Sequence, residues 1–140
     1  DNPGGGNDNP GGNNDDSDDE IMSNKLRITV GSSSFDATLE DNETVKAFKK
    51  LLPMTVNMPD LNRNEKYYYL SGSLPTAASN PGTILTGDLM LYGSNCVVLF
   101  YESFSTSYSY TRLGRVNNSS GLASALGSGS VTVTFELQKE

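Results

Sequence analysis

Two tyrosines and two arginines crowd the stretch "YSYTRLGRV", residues 108–116. Tyrosine offers an apolar ring with a polar tip, and arginine a planar fork of donors that suits carbonyls and carboxylates. Read as a strand, the stretch turns Tyr108, Tyr110, Arg112 and Gly114 to one side and Ser109, Thr111, Leu113 and Arg115 to the other. The tyrosine–arginine row fits a recognition groove. It fits better the outer face of an ordinary strand, with Arg112 stacked on tyrosines. "KYYYL" (66–70) poses the same choice, because Tyr67 and Tyr69 share one face and Tyr68 takes the other.

Other chemistries find little support. The chain has no histidine, which removes a Ser-His-Asp triad and any imidazole metal ligand. No metal site and no cofactor are expected. The acidic run "DDSDDE" (15–20) lacks the glycine and the scaffold of a calcium loop and reads as solvated charge. A carboxylate pair such as Asp88 and Glu102 has no supporting spacing, so no catalytic residue is assigned. Cys96, the single cysteine, lies within the apolar run "CVVLFY" and reads as a small buried hydrophobe rather than a reactive thiol.

Charge is segregated along the 140 residues. The first twenty, "DNPGGGNDNPGGNNDDSDDE", hold seven of the 17 acids and none of the ten bases, so residues 21–140 are balanced and the net charge of −7 belongs to the tail. The tail has no apolar side chain to offset ordering entropy, which predicts a disordered, acidic Asn/Gly/Asp-rich tether over 1–20 and one folded domain over 21–140. A neutral domain has no basic footprint for nucleic acid. No signal-peptide pattern or membrane-spanning apolar run is present, which reads as a mature or trimmed chain. An Asn/Gly/Asp-rich tether resembles the segment behind the lipidated cysteine of bacterial envelope lipoproteins. That implies a lipid anchor outside this chain, or secretion, at the bacterial envelope or surface.

The elements that must position the tyrosines follow from periodicity. "KLRITV" and "SFDATLE" alternate around "GSSS" and predict a hairpin. "DNETVKAFKKLLP" predicts a helix capped by Asp41 or Asn42, with Val45, Phe48, Leu51 and Leu52 on its apolar side, Lys46, Lys49 and Lys50 in water, and Pro53 as its stop. "TVNM" and "KYYYL" predict strands, 71–84 a long irregular connection, and "DLMLY" and "CVVLFYESF" a strand pair. "SSGLASALGSG" predicts a short helix capped by Ser119 or Ser120, with Leu122, Ala123 and Leu126 inward. "SVTVTFELQ" predicts a closing strand with Val131, Val133, Phe135 and Leu137 inward. The expected fold is mainly β, a closed barrel of about eight strands with two short helices.

Three stretches together resemble the cyclophilin-like domains, relatives of the cyclophilin peptidyl-prolyl isomerases, in a divergent bacterial form. They are the opening hairpin running straight into a helix, "GDLMLYGSNCVVLFY" (87–101), and "LGRV" (113–116) with its helix, glycine and final strand, similar to the "FGKV" ending of true cyclophilins. The resemblance covers about residues 25–138. It implies a substrate groove on the outer surface of the barrel, an arginine donor on the strand corresponding to "KYYYL", and a glutamine, phenylalanine, tryptophan and histidine around a proline pocket. This chain has no arginine on that strand, no tryptophan and no histidine, and its one glutamine is Gln138. Counting back from Gly114, the histidine position falls on Tyr110, and the phenylalanine position falls at Val97 or Val98. The expectation is therefore a binding module without catalysis that takes a peptide or small ligand through Tyr108, Tyr110, Arg112, Tyr67 and Tyr69. One alternative is a divergent isomerase with Arg112 in place of the lost donor, and another is a structural adaptor without a ligand.

Overall fold

The computed structural model describes residues 23–139, and the predicted tether lies outside the described residues. The described residues form eleven strands and two helices: β1 (Lys25–Val30), β2 (Ser33–Leu39), α1 (Glu43–Lys49), β3 (Met54–Met58), β4 (Asp60–Leu61), β5 (Glu65–Tyr69), β6 (Thr83–Ile84), β7 (Asp88–Tyr92), β8 (Cys96–Phe100), β9 (Phe104–Ser105), β10 (Thr111–Val116), α2 (Leu122–Leu126) and β11 (Val131–Gln138). Nine strands form one antiparallel sheet in the order β3-β11-β1-β2-β10-β7-β8-β5-β4. Its ends approach where β3 lies against β5, so the sheet curls into a nearly closed barrel. The closing strand β11 sits inside the sheet, between β3 and β1, which hides its backbone from edge pairing.

The barrel interior follows the alternation in the sequence. Leu26, Ile28 and Val30 of β1, Ala37 and Leu39 of β2, and Val133 and Phe135 of β11 are buried in one cluster. β7 and β8 are instead buried on both faces. Leu89, Leu91, Val97 and Leu99 enter the barrel core, whereas Met90, Cys96, Val98 and Phe100 form a second cluster outside it with Ile84 and Tyr110. A strand covered on both sides reads as a continuous apolar run, which is why "CVVLF" shows no alternation.

Asn42 is the cap of α1, its side chain accepting from the Val45 amide at 2.8 Å. Its own amide donates to the Arg112 carbonyl at 3.1 Å, which ties the helix start to β10. Lys49 departs from expectation. It is buried rather than in water, with its ammonium donating to Asn24 Oδ1 at 2.8 Å, because α1 lies over the chain that enters β1 and covers the aliphatic stem. The helix ends at Lys49, so Leu51 falls beyond its apolar stripe and is exposed. In α2 neither serine side chain is the cap. The capping position is Gly121 at φ +81°, and Ala125 rather than Ala123 joins Leu122 and Leu126 against the core, as i, i+3, i+4 spacing requires.

Two further departures shape the outer surface. "CVVLFYESF" is not one strand, since β8 ends at Phe100 and Phe104–Ser105 pairs instead with Thr83–Ile84 from the long connection. The resulting ribbon lies over the second cluster, with Phe104 against Phe100 at 5.7 Å between ring centroids. In β10 the register slips between Arg112 and Gly114. Arg112 faces Met90, Gly114 faces Leu89 and Arg115 faces Asp88. The extra residue of this bulge cancels one alternation, so Arg115 lies on the same side as Arg112 rather than opposite to it, and both line one surface depression.

Candidate functional site

The outer face of β5 carries Glu65, Tyr67 and Tyr69, which pair in register with Phe100, Val98 and Cys96 of β8. β7 continues the row, with Tyr92 opposite Cys96 and Met90 opposite Val98. Tyr110 completes it from the segment ahead of β10. Its backbone exchanges two hydrogen bonds of 2.9 Å with Ser79, so the long connection anchors this ring. Around this floor lies a pocket of about 340 Å³, lined among others by Glu65, Tyr67, Tyr69, Tyr92, Tyr108 and Tyr110. Such a volume falls at the small end of the roughly 300–1,000 Å³ typical of ligand pockets.

Ring geometry fixes the walls. Tyr110 packs on Phe100 at 5.5 Å and 87°, and on Tyr92 at 5.6 Å. Tyr92 meets Tyr108 at 6.0 Å and 84°, and Tyr67 meets Tyr69 at 5.8 Å and 75°. Tyr110 is buried and forms part of the floor, whereas Tyr69 and Tyr108 are 62% and 61% exposed and form the rim. Four of the five residues singled out from the sequence thus meet in one place. Arg112 does not join them. It opens onto the neighbouring depression, lined also by Thr38, Glu40 and Arg115. Arg115 is held by Asp88, Nε to Oδ1 at 2.7 Å, and Asp88 also accepts from the Leu85 amide at 2.9 Å. Asp88 is therefore a buried structural acid, committed to partners of its own.

Glu65 is the residue that sequence reasoning missed. Burial pushes its carboxyl up to about 7, and the charge of Asp60 adds to the effect. The signal was present in the alternation, because Glu65 precedes Tyr67 by two residues and must share its face. Burial also raises the Cys96 thiol and the Tyr110 phenol, with Glu65 contributing to both. Cys96 is buried as expected, and it also lines the pocket. Of Val97 and Val98, only Val98 lines the pocket, and Val97 is in the barrel core.

Among the described residues, no lysine or arginine lines this pocket. The one cation of β5, Lys66, points to the other side of the strand and is fully buried. Its ammonium donates to the carbonyls of Gly127 (2.8 Å) and Gly129 (2.5 Å) and to Asp60 Oδ1 (3.1 Å). Asp60 accepts a further short hydrogen bond from the Tyr101 hydroxyl.

The chain is thus a nearly closed antiparallel β-barrel with two short helices and an aromatic pocket on the outer face of β5, β8 and β7. The cyclophilin-like family matches this chain over residues 28–136, and the chain belongs to that family. A hypothetical protein from Archaeoglobus fulgidus, known from its solution structure, has the same fold. It is 21% identical, with a TM-score of 0.63 over 84% of this chain and 96% of the other. No curated protein matches.

Proposed function

We propose that this domain is a non-catalytic binding module whose aromatic pocket takes a peptide side chain or a small molecule. The observation that carries the reading is a pocket rich in tyrosine with no guanidinium or ammonium on its wall among the described residues. Isomerisation of an X-Pro bond faces a barrier of about 18–20 kcal/mol, and in true cyclophilins a donor aimed at the prolyl nitrogen lowers it. Loss of one such preorganised donor costs about 10²–10³ in rate. Lys66 cannot replace it, being sealed on the inner side of β5, and Arg112 opens elsewhere. Tyr110, at the position that the resemblance assigns to the histidine, supports apolar contact in place of chemistry. The composition of residues 1–20 supports a tether that displays the domain at a bacterial envelope, lipid-anchored or secreted.

The test couples an isomerase assay on short X-Pro peptides with a peptide and metabolite binding screen read by tyrosine fluorescence. Absence of isomerase activity together with a ligand whose binding is lost in Tyr67→Ala supports the reading. Clear isomerase activity abolished by Arg112→Ala sinks it in favour of a divergent enzyme.

A further inference from the structure

We infer that the pocket recognises a cationic ammonium group, held against tyrosine rings with the Glu65 carboxylate as its counter-ion. The inference rests on the binding-module reading and specifies the chemistry of the ligand.

Three observations lead to it. The first is the wall itself. Tyr67, Tyr69, Tyr92, Tyr108 and Tyr110 surround one pocket, with the Tyr67–Tyr69 and Tyr92–Tyr108 pairs set edge to face at 75° and 84°. Ring faces carry the negative lobe of the aromatic quadrupole and attract cations, above all those with a weakly held hydration shell. The second is Glu65. Its carboxyl lines the same pocket, and no hydrogen-bond or ion-pair partner faces it among the described residues. A carboxylate withdrawn from water without a partner is unfavourable, and a ligand cation supplies the missing partner. The third is that none of the described residues on the lining is a lysine or arginine, so a ligand ammonium meets no like charge from them.

An anionic ligand would meet the reverse situation, beside Glu65 with no donor of positive charge. A neutral apolar group would fill the rings but leave the acid unpartnered.

The charge of the site depends on pH. The titratable groups beside Glu65 on the pocket lining are Cys96 from β8, Tyr67 and Tyr69 from its own strand, Tyr92 from β7, and Tyr108 and Tyr110 ahead of β10, and Asp60 of β4, on the Lys66 side of the sheet, acts on it through its charge. Asp60 is held below its ordinary value, because hydrogen bonds from Tyr101, Lys66 and the Arg63 amide outweigh the opposing effect of burial, so it is ionised throughout. Burial keeps the Cys96 thiol and the Tyr110 phenol protonated at neutral pH. Glu65 is thus the group that changes charge near pH 7. Cation binding favours its ionised form, so affinity rises as pH rises through about 7.

The experiment titrates the domain with choline and with its neutral carbon isostere, 3,3-dimethylbutan-1-ol, following the tyrosine resonances by NMR at pH 5.5 and 8.5. A third arm uses a short peptide carrying one trimethyllysine. We expect choline to bind about tenfold tighter than the alcohol at pH 8.5, and this advantage to shrink at pH 5.5. Glu65→Gln removes the pH dependence, and Tyr108→Ala, an exposed rim position, weakens the cation without touching the core. A peptide that binds well above choline assigns the ammonium to a side chain, and equal affinity assigns it to a free small molecule. Equal binding of choline and the alcohol overturns the inference while leaving a binding pocket in place. If neither they nor the peptide binds, the inference is likewise overturned. The broader screen then decides separately whether the pocket binds anything.

Discussion

The ammonium of Lys66 lies 3.1 Å from the Asp60 carboxylate, on the opposite side of β5 from Tyr67. One strand therefore does two jobs. Its inner face locks the barrel to the loop after α2 through the Gly127 and Gly129 carbonyls, and its outer face builds the pocket.

Lys66→Ala is expected to cost about 3–5 kcal/mol, because it leaves a carboxylate and two carbonyls without their buried partner. Urea denaturation measures this loss. A change below 1 kcal/mol would mean that the interaction is worth no more than a surface ion pair.

Glu65 should make stability pH-dependent in a defined window. Its carboxyl is raised from 4.5 to about 7 in the folded state. The stability linked to its protonated form is complete below pH 4.5 and is lost as pH rises through 7. Glu65→Gln stays neutral throughout, so its melting temperature should exceed that of wild type at pH 8 and match it at pH 4.5. The same offset at both pH values would contradict the half-buried, unpartnered carboxyl.

Tyr108 and Tyr110 line the same pocket but should differ in what they stabilise. Tyr108→Ala removes an exposed ring and should change stability by less than about 0.5 kcal/mol. Tyr110→Ala empties a site packed between Phe100 and Tyr92 and should cost about 3 kcal/mol or more. Arg112→Ala should leave the resonances of Tyr67 and Tyr110 unshifted, because Arg112 opens onto a different depression. Denaturant titration and NMR spectra of the three variants check these contrasts.

Gly114 follows the bulge of β10 against β7 and pairs with Leu39 of β2. A Cβ at this position would collide with the Thr38 carbonyl oxygen and press on Leu39 Cα, both of them backbone atoms that cannot turn aside. Gly114→Ala should therefore destabilise by about 1–3 kcal/mol and disturb the Arg115–Asp88 pair as the bulge shifts. Thermal denaturation showing an unchanged melting temperature would argue that β2 and β10 have room to separate.

Much of the barrel was legible from local patterns. Alternation in "KLRITV", "SFDATLE" and "SVTVTFELQ" identified which side chains enter the core, because a pleated strand buried on one face leaves only one way to face it. The tyrosines of "KYYYL" and "YSYTRLGRV" were visible as two rows, since Tyr67 and Tyr69 must share a face whatever the rest of the chain does. The same rule already contained Glu65, two residues ahead of Tyr67.

Tertiary structure decided the rest. That the two tyrosine rows meet depends on β5, β8 and β7 lying side by side and on the Ser79 bridge that anchors Tyr110, all of them pairings between residues distant in sequence. The side taken by Arg115 depends on a bulge that no single-strand pattern reveals, because the slip exists only relative to β7. Lys49 reads as a solvent-facing cation until the chain folds back to supply Asn24, and only the folded chain brings Asp60 and two glycine carbonyls to Lys66. Composition determined that a charge-balanced domain follows an acidic tail and carries no histidine, whatever its fold. Whether Glu65 stands in water or among rings is a question of which strands surround it, and that is settled by burial, which no residue carries in its own name.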